Sequence, residues 1–255
     1  MGFVTTFLLV VVVLPIAAVV WKSTGNGWSG FWDVVSSPQA VAALKLSVIT
    51  ATLAVLTTAV FGTIIAWVLV RDSFAGKSLV NAIIDLPFAL PTIVASIVLL
   101  SLYGPRSPIG LHLYATRPAL IIALAFVTLP FVVRSVQPVL LELDREVEEA
   151  AASLGANNWT IFTHVVLPAL LPSLLSGAGL AFSRAIGEFG SVVLIGGAIP
   201  GETEVSSQWI RTLIENDDRT GAAAISIVLL SASFVVLFVL RAVGSRAAKR
   251  EELAA

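Results

Sequence analysis

Two charged side chains, Arg184 and Glu188, stand inside the otherwise uncharged run Leu167–Ile199. Their i, i+4 spacing puts both on one face of a helix. Two chemistries are then open. The guanidinium can offer its planar fork to an oxyanion. Alternatively, the two charges close on each other and fix helix packing, because a charge at the centre of a bilayer costs about 2.5–3.5 kcal/mol on insertion scales. Ser183 is the best polar candidate for lining a path. Ser176, Gly179, Ser183, Gly187 and Gly190 recur at three- and four-residue spacing, a pattern that serves either close helix packing or the lining of a path. A second constellation lies upstream. Glu142, Asp144, Arg145, Glu146, Glu148 and Glu149 crowd ahead of Ala150–Ala152, and Gly155, Asn157 and Asn158 follow.

Enzyme chemistry finds little purchase. Gly76-Lys77-Ser78 resembles the end of a phosphate-binding Walker A loop, but Arg71 stands where that loop needs its first glycine. The chain is therefore expected not to hydrolyse ATP itself. It has no cysteine, and its two histidines, His112 and His164, are far apart without ligand spacing. No nucleophile–base set or metal cluster is apparent, so no metal and no cofactor are expected on this chain.

The elements that hold these residues are membrane helices. Of the 255 residues 57% are apolar and 12% charged, with a mean hydropathy of +0.97. Soluble domains carry roughly 25% charged residues, and a domain of this length could not hide so much apolar surface from water. A net charge of −1 leaves no basic face for nucleic acid. A membrane-spanning helix needs about 20 apolar residues. Candidate spans are Met1–Trp21, Leu46–Val70, Leu86–Pro105, Pro118–Val133 continuing past Arg134 to Leu141, Leu167–Ile199 and Thr220–Leu240. Six spans are predicted, and the first is read as an uncleaved helix because a basic n-region is missing. Asp85, Pro87 and Pro91 suggest a broken helix end at the third, and Arg134 is expected to snorkel towards the inner interface. Residues 22–40, 104–117 and 200–219 read as short connections. With the N-terminus in the cytoplasm, the inner loops carry Arg71, Lys77, Arg134, Arg145, Arg241, Arg246, Lys249 and Arg250. The outer loops then carry Lys22, Arg106, Arg117, Arg211 and Arg219, so the positive-inside rule places both termini in the cytoplasm.

The acidic segment needs its own account. The alanines favour a helix and the acidic residues suit its N-terminal end, where the dipole is positive. Gly155 then marks a stop or sharp bend, and a second short helix is expected from about Trp159 to Leu167-Pro168. A plain interfacial connector is one reading of this hairpin. Anionic lipid on the inner leaflet repels such a helix, however, so a cationic protein partner explains it better.

Glu149-Ala150-Ala151, three residues, Gly155, nine residues and Val165-Val166-Leu167-Pro168 resemble the EAA motif of bacterial ABC importer permeases, with Val165 in place of isoleucine. Asp85-Leu86-Pro87-Phe88-Ala89-Leu90-Pro91 and Arg184-Ala185-Ile186-Gly187-Glu188-Phe189-Gly190-Ser191 look like the sulfate/molybdate branch, and Gly187–Glu204 looks most like the T-type permease subunit of sulfate/thiosulfate importers. The resemblance implies an all-α, multi-pass protein of the bacterial inner membrane with the type-1 importer permease fold. Residues 1–40 would form a first helix and outer loop, 41–242 the permease domain and 243–255 a cytoplasmic tail. A coupling helix within 143–166, between helices four and five, would seat in an ATPase subunit. Glu149 would meet a basic residue there, Gly155 would bend the chain, and Leu154, Trp159 and Phe162 would fill the groove, with Ala150, Ala151, Leu167 and Pro168 completing the motif. Ser183, Arg184 and Glu188 are the candidates for the translocation path. The implied partners are a second homologous permease, an ATPase dimer that uses ATP and Mg, and an extracytoplasmic sulfate-binding protein. A molybdate or tungstate permease is the alternative within the class, and an ATP-independent anion transporter is the alternative outside it.

Overall fold

A computed structural model describes residues 2–252, with side chains described for residues 2–245. Residues 253–255 of the expected tail lie outside the described residues. So do the side chains of Arg246, Lys249 and Arg250, which were counted for orientation. In chain order the helices are α1 (Gly2–Leu8), α2 (Leu14–Ser23), α3 (Gly27–Val35), α4 (Pro38–Arg71), α5 (Lys77–Ala89), α6 (Thr92–Tyr103), α7 (Arg117–Glu142), α8 (Arg145–Ser153), α9 (Asn158–Ile161), α10 (Leu167–Ile186), α11 (Gly190–Val193), α12 (Ser206–Glu215) and α13 (Arg219–Glu252). The described residues contain no strand.

Proline explains three irregularities. A π turn, Leu9–Val13, joins α1 to α2 just ahead of Pro15, and a second, Phe162–Val166, joins α9 to α10 just ahead of Pro168. In each the Leu N–H before the proline reaches five residues back, Leu14 to Leu9 and Leu167 to Phe162. A proline has no N–H and crowds the carbonyl four residues behind it, and the wider turn accommodates that. Asn158–Ile186 is therefore one continuous helix. The expected break at Leu167-Pro168 is absent. At Pro91 the outcome differs, because Leu90 takes an extended conformation (φ −82°, ψ 134°), as residues before proline tend to. The chain there turns through 116° between α5 and α6, which matches the broken helix expected in span three.

Whether this bent pair crosses the bundle follows from what it connects. Helices α4 and α7 pack closely where Gly62 lets Val132 and Val133 approach, since a Cβ there would meet Val132 Cγ1 at 3.0 Å. Their C-terminal ends lie together, where Arg71 pairs with Glu148 of the hairpin that follows α7. Their N-terminal ends lie together too, where Ser47 Oγ accepts from the Ser206 N–H at 2.8 Å and the Ala115 N–H donates to the Ile195 carbonyl at 2.9 Å. The two helices are thus parallel, and α5–α6 runs from the end of one to the start of the other. It must traverse the bundle. Among the described residues five helices are long and apolar enough to span a membrane, or six with the bent pair counted as one span.

Helix α7 is the axis of the core, with Leu120, Val132, Val133, Val136 and Leu140 fully buried alongside Leu170 of α10, while Ile225 of α13 packs in a second cluster with Ala40, Leu213 and Ala222. The first helix stands outside this core, buried only at Ser23 and touching α13. Two connections expected to be irregular contain helices, amphipathic α3 and α12. Span five also ends early, at Ile186 rather than Ile199. Residues 187–205 fold back as a loop, with Ser96 Oγ accepting from the Leu194 and Ile195 N–H groups at 3.1 and 3.2 Å. Val192 and Ile195 are apolar because protein buries them, and composition alone does not separate that from burial in lipid.

Candidate functional site

The hairpin between α7 and α10 is built by local chemistry. Asp144 caps α8, its Oδ1 accepting from the Glu146 N–H at 2.9 Å, and Glu146 and Glu148 lie in the first turn where the dipole favours them. At the far end the N–H groups of Leu154, Gly155 and Ala156 return to the carbonyls of Ala150, Ala152 and Ala151 at 3.1, 2.9 and 3.1 Å. Gly155 sits at φ +90°, a conformation that a Cβ strains. Asn157 Oδ1 then accepts from the Thr160 N–H at 2.8 Å and starts the next helix. The result is two helices meeting at a fixed bend.

The hairpin is mounted on the bundle through contacts that sequence reading did not pair. Arg71, at the end of α4, pairs with Glu148, its guanidinium lies 5.5 Å from the Trp67 ring centre, and its carbonyl accepts from Arg145 at 3.3 Å. Trp67 in turn meets Phe162 edge-on at 6.0 Å. A cation closing an uncharged run was legible, but its partner 77 residues away was not. With Glu148 holding the base, Glu149 and Ala150 remain exposed, and Leu154 and Trp159 present 90% and 73% of their surface. Ala151 packs partly against the core. Phe162 does so too, turned towards Trp67 and away from the tip. Leu167 and Pro168 lie half-buried in the continuous helix. His164 hydrogen-bonds within its own turn, and His112 Nδ1 lies 3.1 Å from the Gly104 carbonyl. Among the described residues no group of side chains could hold a metal ion.

Arg184 and Glu188 do form an ion pair, but at the end of a helix rather than deep within one. α10 stops at Ile186, so Glu188 lies in the loop, where its side chain is 1% exposed. Glu188 Oε1 accepts from the Ser191 N–H at 2.8 Å, and its carbonyl accepts from Ser207 Oγ at 2.7 Å. The carboxylate is fixed. The Arg184 side chain keeps 37% of its surface open beside it, and Ser183 Oγ is buried without a partner. The small-residue stripe divides: Gly179 packs on Leu237, Gly190 on Thr92, Gly187 faces open space and Ser176 is exposed. α10 approaches α7 closely at Gly177, one residue off that stripe, where a Cβ would meet Ser135 Cβ at 2.8 Å.

Arg134 does not snorkel. Its Nε and Nη2 grip Asp85 of α5 at 2.9 and 2.6 Å, Nη2 also reaches the Asn81 carbonyl at 3.1 Å, and Nη1 donates to Asn81 Oδ1 at 3.2 Å and Gln137 Oε1 at 2.6 Å. An arginine has five N–H groups, and every one is engaged. The attraction of an aspartate 49 residues away outweighs the pull of the interface.

Residues 58–249 match the family described as the binding-protein-dependent transport system inner membrane component. The chain is 41% identical to the sulfate transport system permease protein CysT of Escherichia coli (strain K12), over 98% of this chain and 93% of that one. It is 44% identical to the protein of the same name from Synechocystis sp., over 92% and 84%. A chain of a bacterial ABC transporter involved in the import of the acidic polysaccharide alginate superposes with a TM-score of 0.78 at 17% identity, covering 96% of this chain and 93% of that one, which shows the shared type-1 importer permease fold. The chain belongs to the family of binding-protein-dependent transport system inner membrane components.

Proposed function

We propose that this chain is a membrane-spanning permease subunit of an ATP-driven importer for sulfate, with thiosulfate as a second substrate. The observation that carries the proposal is the acidic hairpin: it is mounted through Glu148 yet leaves Glu149, Leu154 and Trp159 uncovered at the end of the bundle where α4 and α7 finish. Aromatic and aliphatic anchors beside exposed carboxylates suit a groove with a basic residue on another protein. That partner is an ATPase dimer, which binds the ATP and Mg that this chain does not. Closure of the dimer pushes the hairpin, and the hairpin moves α7 and α10 between inward-open and outward-open states. On this reading the hairpin side is cytoplasmic, and so are both termini. A second homologous permease completes the path, and a sulfate-binding protein delivers the anion at the opposite side. The names of the relatives at 41% and 44% identity support sulfate as the substrate. Arg184 is the outer contact for the anion, with Ser183 beside it and Glu188 setting its position.

Reconstitution into proteoliposomes with the ATPase, the second permease and the binding protein tests this. Labelled sulfate should accumulate only with ATP, and molybdate should compete poorly. Glu149→Lys should leave the complex assembled while uptake falls at least tenfold. Uptake without ATP, or unimpaired uptake by that variant, would reject the coupling role.

A further inference from the structure

The proposal of sulfate transport leaves one charged cluster unused, in the half of the bundle nearer the hairpin. Arg134 lies eight residues before Glu142, about 12 Å along the helix at 1.5 Å per residue. It is inside a membrane-spanning segment, yet the Asp85 and Arg134 side chains keep 48% and 36% of their surface open in the isolated chain. Lipid cannot cover them cheaply, since charges facing hydrocarbon are costly and those found in spans face a bundle interior or a water-filled cavity. The open face of α5 and α7 therefore turns towards an aqueous path or a partner subunit.

The cluster also has the chemistry of a transient oxyanion site. Asp85 holds Arg134 through Nε and Nη2, but the partners of Nη1 are the neutral amides of Asn81 and Gln137. Gln137 is the loosely held amide. Apart from its contact with Arg134, its Nε2 has one long hydrogen bond, 3.4 Å, to Asn81 Oδ1. Rotating its terminal amide exchanges the oxygen that accepts from Arg134 for an NH₂ that donates, and frees an N–H of Nη1. An arriving anion then finds donors from both side chains, while the Asp85 charge opposes tight capture. A conducting site needs that balance, favourable enough to enter and weak enough to leave. Resting on the sulfate reading, we propose that Arg134 and Gln137, held by Asp85, form a second, inner anion site in the translocation path, which takes a tetrahedral dianion after Arg184 releases it.

The test uses the full complex in proteoliposomes, with labelled sulfate retention measured without the binding protein and uptake measured with it. Asp85→Asn removes the opposing charge and should tighten retention about tenfold, roughly 1.4 kcal/mol, while slowing uptake. Gln137→Leu removes the exchanging amide without touching the ion pair, and should weaken retention severalfold in a complex that assembles normally. Swapping the pair, Asp85→Arg with Arg134→Asp, should restore assembly but not uptake. Retention and uptake within twofold of wild type in Gln137→Leu, or full uptake by the swapped pair, would overturn the site and leave only a packing clamp. If the wild-type complex takes up no sulfate, the transport reading itself fails, and this site with it.

Discussion

Two arginines of this bundle each face a carboxylate, and the difference between them separates holding from offering. Arg134 spends all five N–H groups on Asp85, Asn81 and Gln137, joining α5 to α7 across 49 residues of sequence. Arg184 meets Glu188 four residues along its own chain, and it is the carboxylate there that is immobilised, by Ser191. One pair ties two helices together. The other presents a guanidinium edge beside a fixed counter-charge. Both pairs match the i, i+4 or membrane-charge expectations of sequence about equally well, so charge type alone does not assign a role; the count of committed donors separates a guanidinium open at rest from one that opens only when Gln137 turns.

The largest expected effect follows from the fully committed arginine. Arg134→Ala leaves Asp85, the Asn81 amide and Gln137 without their donor and frees the α5 limb, which packs chiefly on α7. Breaking a buried pair by removing one partner costs about 3–5 kcal/mol. With both groups partly open, about 2–3 kcal/mol is expected, read as a lower melting temperature and faster proteolysis between residues 72 and 92 in the purified complex. An unchanged melting temperature would show that the α5 limb is held by something else. Arg184→Ala should do the reverse. Its stability loss should stay near 1 kcal/mol, because Glu188 retains the Ser191 N–H, while sulfate uptake falls at least tenfold and Arg184→Lys recovers part of it. Equal losses of stability and uptake would erase the distinction between the two arginines.

How much of this was readable in advance depended on sequence separation. The acidic residues, the alanines and Gly155 announced the hairpin because helix propensity, the dipole and a left-handed glycine act on near neighbours. The broken span was legible at Pro91 for the same reason. The clamp was not, since Arg134 and Asp85 were each visible as charges in apolar surroundings but their pairing is a property of the packed fold. Phe162 was expected to fill a partner's groove with Leu154 and Trp159; in the continuous helix its ring turns to Trp67 instead, a contact across 95 positions that local spacing does not reveal. The loop at 187–205 was lost in an apolar run for want of any signal separating burial in protein from burial in lipid.

A third carboxylate, buried without an arginine beside it, examines the same rule from the opposite side. Glu204, in the loop ahead of α12, is 6% exposed and has no arginine in contact; Thr212 Oγ1 donates to it at 3.2 Å, while Arg211 pairs with Glu215. Burial pushes its carboxyl above the ordinary value, with the Thr212 hydrogen bond and the charge of Arg211 opposing the shift. A carboxyl whose pKa is higher folded than unfolded contributes stability that is fully present below the unfolded value and is lost as pH rises through the folded one. Ionised Glu204 is therefore a small liability at neutral pH. Glu204→Gln should raise the melting temperature slightly at pH 7, and the gain should shrink as pH falls through the range where the folded carboxyl takes up its proton. A gain that persisted unchanged at low pH would point to better packing by the amide. A loss at pH 7 would mean that Arg211 and Thr212 already compensate the charge, so that a carboxylate here can be held without the direct arginine contact that Asp85 and Glu188 both have.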